Sequence, residues 1–185
     1  MTALTRTPNN IDLLQSTKFR IIFDRLPGMT YFCQTANLPG ISLTEIPKAT
    51  PFIDLYLPGE KLMYDTLNIT FLVDEDLRAW TQIHDWMRGI TFPLEFEEYL
   101  NLQRQNSINN LGQQFLTNQT LSGGQYSDAT MSIFTNKNNP NFRVKFVNVF
   151  PVSLSTIIFN TGDTADNVVT ADASFRFTYY NYERI

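Results

Sequence analysis

Cysteine and histidine are almost missing from this chain of 185 residues, with one of each. With Cys33 alone an internal disulfide is impossible, and with His84 alone so is a metal site built on two imidazoles. Cys33 lies in the apolar run Tyr31-Phe32-Cys33, where a buried packing role is expected, and nothing around it marks a thiolate nucleophile on a helix N-terminus. Charge is scarce too. Asp, Glu, Lys and Arg make up 17% of the chain, below the roughly 25% usual for soluble domains. The 14 basic and 18 acidic residues leave a formal charge of −4, so there is no cationic surplus of the kind that grips nucleic acid. No apolar run approaches the ~20 residues that cross a bilayer as a helix, and Met1–Asn10 lacks the apolar core of a signal peptide. Cytosolic synthesis and assembly are expected, with no membrane partner.

Apolar bulk and amides are plentiful. Hydrophobic residues reach 43%, including 15 Phe, 8 Tyr and 2 Trp, enough for one real core. The polar surface falls to Asn, Gln, Ser and Thr, which are cheaper to desolvate than Lys or Glu and suit broad protein contacts. Residues 1–16 are polar, carry the turn signal Pro8-Asn9-Asn10, and read as a flexible arm. Residues 17–185 read as one β domain. Phe19, Ile21 and Phe23 alternate with polar neighbours, which predicts a strand; Leu26-Pro27-Gly28 predicts a turn, and Met29–Leu38 a second strand closing a hairpin. Thr66–Val73 predicts the clearest central strand, with Leu67, Ile69, Phe71 and Val73 on one face. Ala129–Thr135 and Phe142–Phe150 predict two more. A long alternating C-terminal strand is expected from Val169 to Tyr179.

One helix is expected, Asp74–Arg88. Asp74 serves as its N-cap, Leu77, Trp80, Ile83, His84 and Met87 form its apolar stripe, and Gly89 closes it. Leu94–Tyr99 extends an element, with Glu95 and Glu97 on the wet face of a strand. Asn101–Ser127, rich in amides, is expected to be a long polar insertion.

The segment Pro47–Met63 fits least well into a monomer. Ile41–Ile46 predicts a short strand and Phe52–Leu57 a second apolar stretch, bounded by Pro51 and by Pro58-Gly59. Prolines at both ends keep such a segment out of a sheet interior, yet Phe52, Ile53, Leu55, Tyr56, Leu57 and Met63 are large and apolar. An arm that packs on a neighbouring subunit explains both facts; a local edge strand is the alternative.

Reactive groups are not concentrated anywhere. Asp74/Glu75/Asp76 is accounted for by a helix start, Glu95/Glu97/Glu98 by a solvated face, and Asp163/Asp166 by a polar turn. Gly123-Gly124 lacks the strand-to-helix context and the Lys-Ser/Thr of a phosphate loop. The alternation Phe142-Arg143-Val144-Lys145-Phe146 needs only an amphipathic strand. No catalytic, cofactor-binding or metal residues are assigned, and an enzyme is not expected.

Three ordered blocks resemble the tail tube proteins of contractile-tailed, T4-like phages: Phe19–Phe23 with Tyr31–Gly40 and Glu45-Ile46-Pro47; Pro58–Glu75 running into a helix with Trp86; and Asp172–Glu183. The resemblance implies two packed antiparallel sheets (a β-sandwich or barrel) with one flanking helix. It also implies a ring of six copies whose joined sheets form an inner barrel, rings stacked into a hollow tube, and an extended loop, here residues 47–63, reaching a neighbouring ring or subunit. Implied partners are further copies of the chain, the sheath, the baseplate with its tube initiator, the tail terminator and the tape-measure protein, with DNA passing through unbound. The implied location is the virion, after assembly in the host bacterial cytoplasm. The main stacked subunit is the first expectation; a specialised initiator or terminator ring is the alternative. A competing reading from another class is a monomeric ligand-binding barrel with Trp80 and Trp86 lining a pocket, which leaves Phe52–Leu57 without a partner.

Overall fold

The computed structural model describes residues 12–109, 124–162 and 168–185, with side chains described up to Leu102 and again from Gly124. Residues 1–11 of the expected arm, residues 110–123 of the expected insertion, and Asp163 and Asp166 lie outside the described residues. In chain order the elements are β1 (Phe19–Phe23), α1 (Met29–Phe32), β2 (Cys33–Ala36), β3 (Ile41–Ala49), β4 (Asp54–Tyr64), β5 (Leu67–Leu72), α2 (Arg78–Thr91), α3 (Phe96–Asn109), β6 (Ser127–Phe134), β7 (Pro140–Leu154), β8 (Thr170–Arg176) and β9 (Tyr179–Arg184).

Period-2 alternation builds the sheets. Leu67, Ile69 and Phe71 of β5 and Ala171, Ala173 and Phe175 of β8 are fully buried, while Asn68, Thr70, Asp172 and Ser174 point away from the core. Every pairing is antiparallel. Sheet A runs β1-β6-β7-β9 and sheet B runs β7-β8-β5-β2, so the 15-residue strand β7 belongs to both. The handover falls at Asn148, whose φ of 57° lies in the left-handed region that Asn tolerates better than most residues. Val144 and Phe146 face the core before this point, Val149 and Pro151 after it. The kink shifts the parity by one, and β7 keeps facing inward while changing sheets. Asn148 N–H donates to Asp128 Oδ1 at 3.2 Å, which ties the kink to β6.

One core lies between the sheets. Phe23 meets Phe175 at 5.0 Å between ring centroids, and Trp86 of α2 meets Phe175 at 6.3 Å. Trp86 is buried, and its indole N–H donates to Gln125 O at 3.0 Å. Arg25 caps this corner. Its guanidinium lies 5.2 Å from the Trp86 ring and donates to Gly124 O at 2.7 Å, and burial pulls its pKa down to about 10. The expected fold class, mainly β with two antiparallel sheets, is therefore observed.

Several local expectations are corrected. Met29–Leu38 does not pair with β1: Met29–Phe32 is a helical turn, and Cys33–Ala36 joins β5 on the other sheet. Cys33 is only partly buried there. The expected C-terminal strand is two strands, because the chain breaks at Phe177-Thr178 and crosses from β8 on sheet B to β9 on sheet A. Alternation alone cannot report that the strand changes sheets.

Helix α2 starts at Arg78, later than expected, and Asp74 does not cap it. Leu77 adopts a left-handed φ of 54°, its N–H bonds to Asp74 O at 2.9 Å, and Asp74–Leu77 becomes a turn. The buried stripe is Ala79, Ile83, Trp86 and Gly89, rotated from the expected one, with Trp80 stacked on His84 at its edge. Gly89 lies inside the helix, where a Cβ would stand 2.9 Å from Leu102 Cδ1. Its role is close approach to α3, and the helix stops two residues later, at Thr91. Glu95 precedes α3, and Glu97 and Glu98 lie in its first turn. This suits the positive helix end, and Glu98 forms an ion pair with Arg88.

Trp86→Ala should remove the largest buried side chain of the core and cost about 3–5 kcal/mol of stability. Urea denaturation followed by far-UV circular dichroism would measure it, and a loss under about 1 kcal/mol would contradict this account of the core.

Candidate functional site

The segment expected to be a proline-bounded loop is one long hairpin. Among the described residues β3 and β4 form a separate two-stranded sheet paired only with each other, running through Pro47 and Pro58. Prolines fit here because each strand of an isolated ribbon has a free edge, where a missing N–H costs no ladder bond. The hairpin leaves the body at Pro39-Gly40 and returns at Asp65, whose N–H donates to Gly40 O at 3.0 Å. Tyr64 anchors this root. Its ring lies 5.5 Å from Phe177 and 5.2 Å from Tyr180, and the Tyr180 hydroxyl donates to Pro39 O at 3.3 Å.

Beyond the root the hairpin has almost no cover. Phe52 is 98% exposed, Ile53 65%, Tyr56 63% and Met63 53%, and Leu55 and Leu57 are also exposed. The exposed set extends to Ile41, Leu43, Ile46 and Leu62, which sequence reading left out because Ile41–Ile46 looked like an ordinary short strand. The register divides these residues between two faces. Ile46 pairs with Leu57, and Leu55 lies beside them on one face; Leu43 pairs with Leu62 and Pro47 with Tyr56 on the other. Neither face is a solvated polar one, so the ribbon offers apolar surface on both sides. Scattered surface apolar residues are ordinary, whereas a contiguous set of this kind marks an interaction site.

A bulge shapes the middle of the hairpin. Leu43 pairs with Leu62 and Glu45 with Pro58, so Thr44 alone opposes Gly59, Glu60 and Lys61. Thr44 Oγ1 holds the bulge by accepting from Lys61 N–H at 3.3 Å. A Cβ on Gly59 would lie 2.5 Å from Thr44 O, a backbone atom with no freedom to move aside.

Elsewhere the described residues show little that could do chemistry. No three His, Cys, Asp or Glu side chains come together among the described residues as a metal site would require. A cleft of about 260 Å³ between α2 and α3 is lined by Asp85, Arg88, Glu98 and Leu102, where the Arg88–Glu98 ion pair joins the helices. Asp24 is pushed above the usual carboxylate range by burial and by Asp128, and Cys33 is pushed up to about 11 by burial. Trp86, expected in a ligand pocket on the barrel reading, is instead closed into the core.

By its build, then, the chain is a two-sheet β domain with an exposed apolar arm. Residues 14–183 match the phage tail tube protein family, and the chain belongs to that family. The tail tube terminator protein of Enterobacteria phage T4 is 26% identical over 160 residues, spanning 85% of this chain and 80% of that protein. Two solved structures share the fold. The tube-terminating cap of the anti-feeding prophage aligns with a TM-score of 0.60 at 13% identity, covering 100% of both chains. The sheath/tube terminator of the extracellular contractile injection system PVC aligns with a TM-score of 0.53 at 11% identity, covering 94% of this chain and 99% of that one.

Two outcomes follow from this geometry. Leu55→Ser with Leu57→Ser should leave monomer stability within about 0.5 kcal/mol, since neither side chain is buried; a loss of several kcal/mol in urea denaturation would mean that the hairpin is part of the core. Cys33, pushed up to about 11 by burial, should alkylate with iodoacetamide at pH 8 at least about 10-fold more slowly than an unperturbed thiol, and a rate near that of free glutathione would contradict the burial.

Proposed function

We propose that this chain is a ring-forming structural subunit of a contractile phage tail, seated at the terminating end of the tail tube. The single observation that carries ring and stack formation is the β3–β4 hairpin, which presents Phe52, Ile53, Leu55, Tyr56, Leu57 and Met63 to solvent and has apolar residues on both faces. Covering both faces takes two neighbours, one on each side of the ribbon. Hydrophobic burial is the main driving force of such association, and ring closure limits its growth.

The terminating position is supported by the similarity to the T4 tail tube terminator across most of both chains. This reading displaces the first expectation, a main tube subunit repeated along the tail, which fits family membership but has no specific observation in its favour. On the proposed reading six copies form the ring. Its partners are the last ring of the tube and the surrounding sheath; the baseplate, tube initiator and tape-measure protein belong to the same particle. DNA passes through the channel without specific binding. The role is mechanical and not enzymatic, and the chain resides in the virion after assembly in the host cytoplasm.

Negative-stain electron microscopy of tails carrying a tagged copy of this chain tests the position. The tag should appear at one end of the tube only. Tag along the whole tube would restore the main-subunit reading, and a chain that stays monomeric at high concentration, alone and with tube protein, would end the ring reading. Removing Phe52–Leu57 should abolish attachment to tube ends while the far-UV spectrum of the folded domain persists; attachment at wild-type strength would show that the hairpin is not the contact.

A further inference from the structure

The hairpin leaves the body at one end of sheet B, and the opposite end carries a second exposed apolar set. Strand β5 measures the separation. It starts at Leu67, beside the root where Asp65 N–H donates to Gly40 O, and ends at Leu72; six residues of strand span about 20 Å. Two connections emerge at that far end. One leaves β7 at Ser155 and enters β8 through Val168-Val169, and the other leaves β5 at Val73 and turns through Asp74–Leu77 into α2. Ile158 and Phe159 are each 78% exposed and Val168 is 66% exposed, as bare as the hairpin residues that carry the ring reading.

The backbone beneath this set is pinned. Ser155 N–H donates to Asp172 O at 2.8 Å, and Asp172 N–H donates back to Ser155 Oγ at 2.8 Å. Ile157 packs against the core, and Gly162 N–H closes a local turn on Asn160 Oδ1 at 3.0 Å. Val73 N–H donates to Val169 O at 3.0 Å, which holds Val168 next to the start of the Asp74–Leu77 turn. Exposed apolar side chains on a fixed backbone lose little conformational entropy when they are covered. Beside them stands a charged rim. Asp76 pairs with Arg78 at 2.8 Å, and Asp74 and Glu75 leave the rim net negative. An apolar centre with a polar rim is the usual anatomy of a protein interface.

We infer that this far end, Ile158, Phe159 and Val168 with the Asp74–Asp76 rim, is a second docking surface. Its occupant is a protein other than this chain, presenting an apolar patch ringed by Lys and Arg. Charge complementarity selects that occupant. A second copy offers no such ring: on its hairpin Glu45, Asp54 and Glu60 outnumber Lys48 and Lys61, so stacking copy on copy sets a negative arm against a negative rim. The inference rests on the terminating position and deepens it. With the hairpin on the tube, Ile158 and Phe159 stand at the end turned away from the tube, and the rim disfavours a further ring of the same chain there. The two ends of the domain do not match each other, which is what a ring that stops a stack requires.

Site-specific photo-cross-linking in assembled tail particles tests it. The photoreactive residue p-benzoylphenylalanine replaces Phe159 in one preparation and Phe52 in another, and the cross-linked peptides are identified by mass spectrometry. Position 52 should join to tube protein. Position 159 should join to a third protein, at a peptide that carries Lys or Arg beside apolar residues. Joining of position 159 to this chain or to tube protein, to an acidic peptide, or to nothing while position 52 cross-links, overturns the inference and leaves the terminating position standing. Joining of both positions to copies of this chain along the tube overturns both. Two further variants measure the contact. Ile158→Ser with Phe159→Ser, and separately Glu75→Lys, alter only exposed side chains. The first should lower the share of tails carrying that third protein at least tenfold with tail length unchanged, and the second should release it at less than half the wild-type salt concentration. Retention at the wild-type level in both would overturn the assignment.

Discussion

The strand β7 joins the two sheets, and the rest of the fold depends on how it does so. Its first half pairs with β6 and β9, and its second half with β8. A single left-handed residue, Asn148, shifts the alternation so that both halves present apolar side chains to one core. Without that shift, Val149 would turn outward and sheet B would lose its packing against sheet A. The buried cluster of Phe23, Phe146, Phe175 and Trp86 exists because the two sheets are held face to face by this continuous strand. Asp128 fixes the kink from β6, so the corner is specified by polar contacts as well as by burial.

Closing one core in this way has a consequence for assembly. The body satisfies its own apolar faces, with Leu67, Phe71, Phe146 and Phe175 fully buried. The apolar side chains left over are concentrated on elements that leave the body, above all β3 and β4. The hairpin root is fixed by Tyr64 against Phe177 and Tyr180, while its tip residues Phe52 and Ile53 are exposed. A rigid root with an uncovered tip suits an arm that reaches another molecule in a defined direction, because little conformational entropy remains to be lost on docking.

Much of this was legible in the sequence, for identifiable reasons. Strands with one buried face announce themselves by alternation, as in Leu67–Leu72 and Thr170–Arg176, and so does an amphipathic helix, even where the stripe was rotated by a residue. The hairpin residues stood out because large apolar side chains next to prolines make poor core. What failed was local and depended on partners. Met29–Phe32 alternates too briefly to separate a helical turn from a strand, and Leu94–Tyr99 carries glutamates that suit a wet strand face and the first turn of a helix equally well. Gly89 looked like a helix stop because nothing in the sequence says that Leu102 of a later helix lies against it.

By itself the sequence determined the class of the protein. Alternating apolar residues required a mainly β domain, scarce charge and abundant amides favoured protein contacts, and a single cysteine and a single histidine removed whole classes of chemistry. These are properties of residues taken in order, and burial acts on them through periods of 2 and 3.6. Only the tertiary structure decided that Pro47–Met63 belongs to a paired ribbon with two apolar faces, and that β7 serves two sheets. Those depend on which segments meet across more than 100 residues of chain, as Thr70 meets Asp172, and pairing over such distances is selected by the whole core at once.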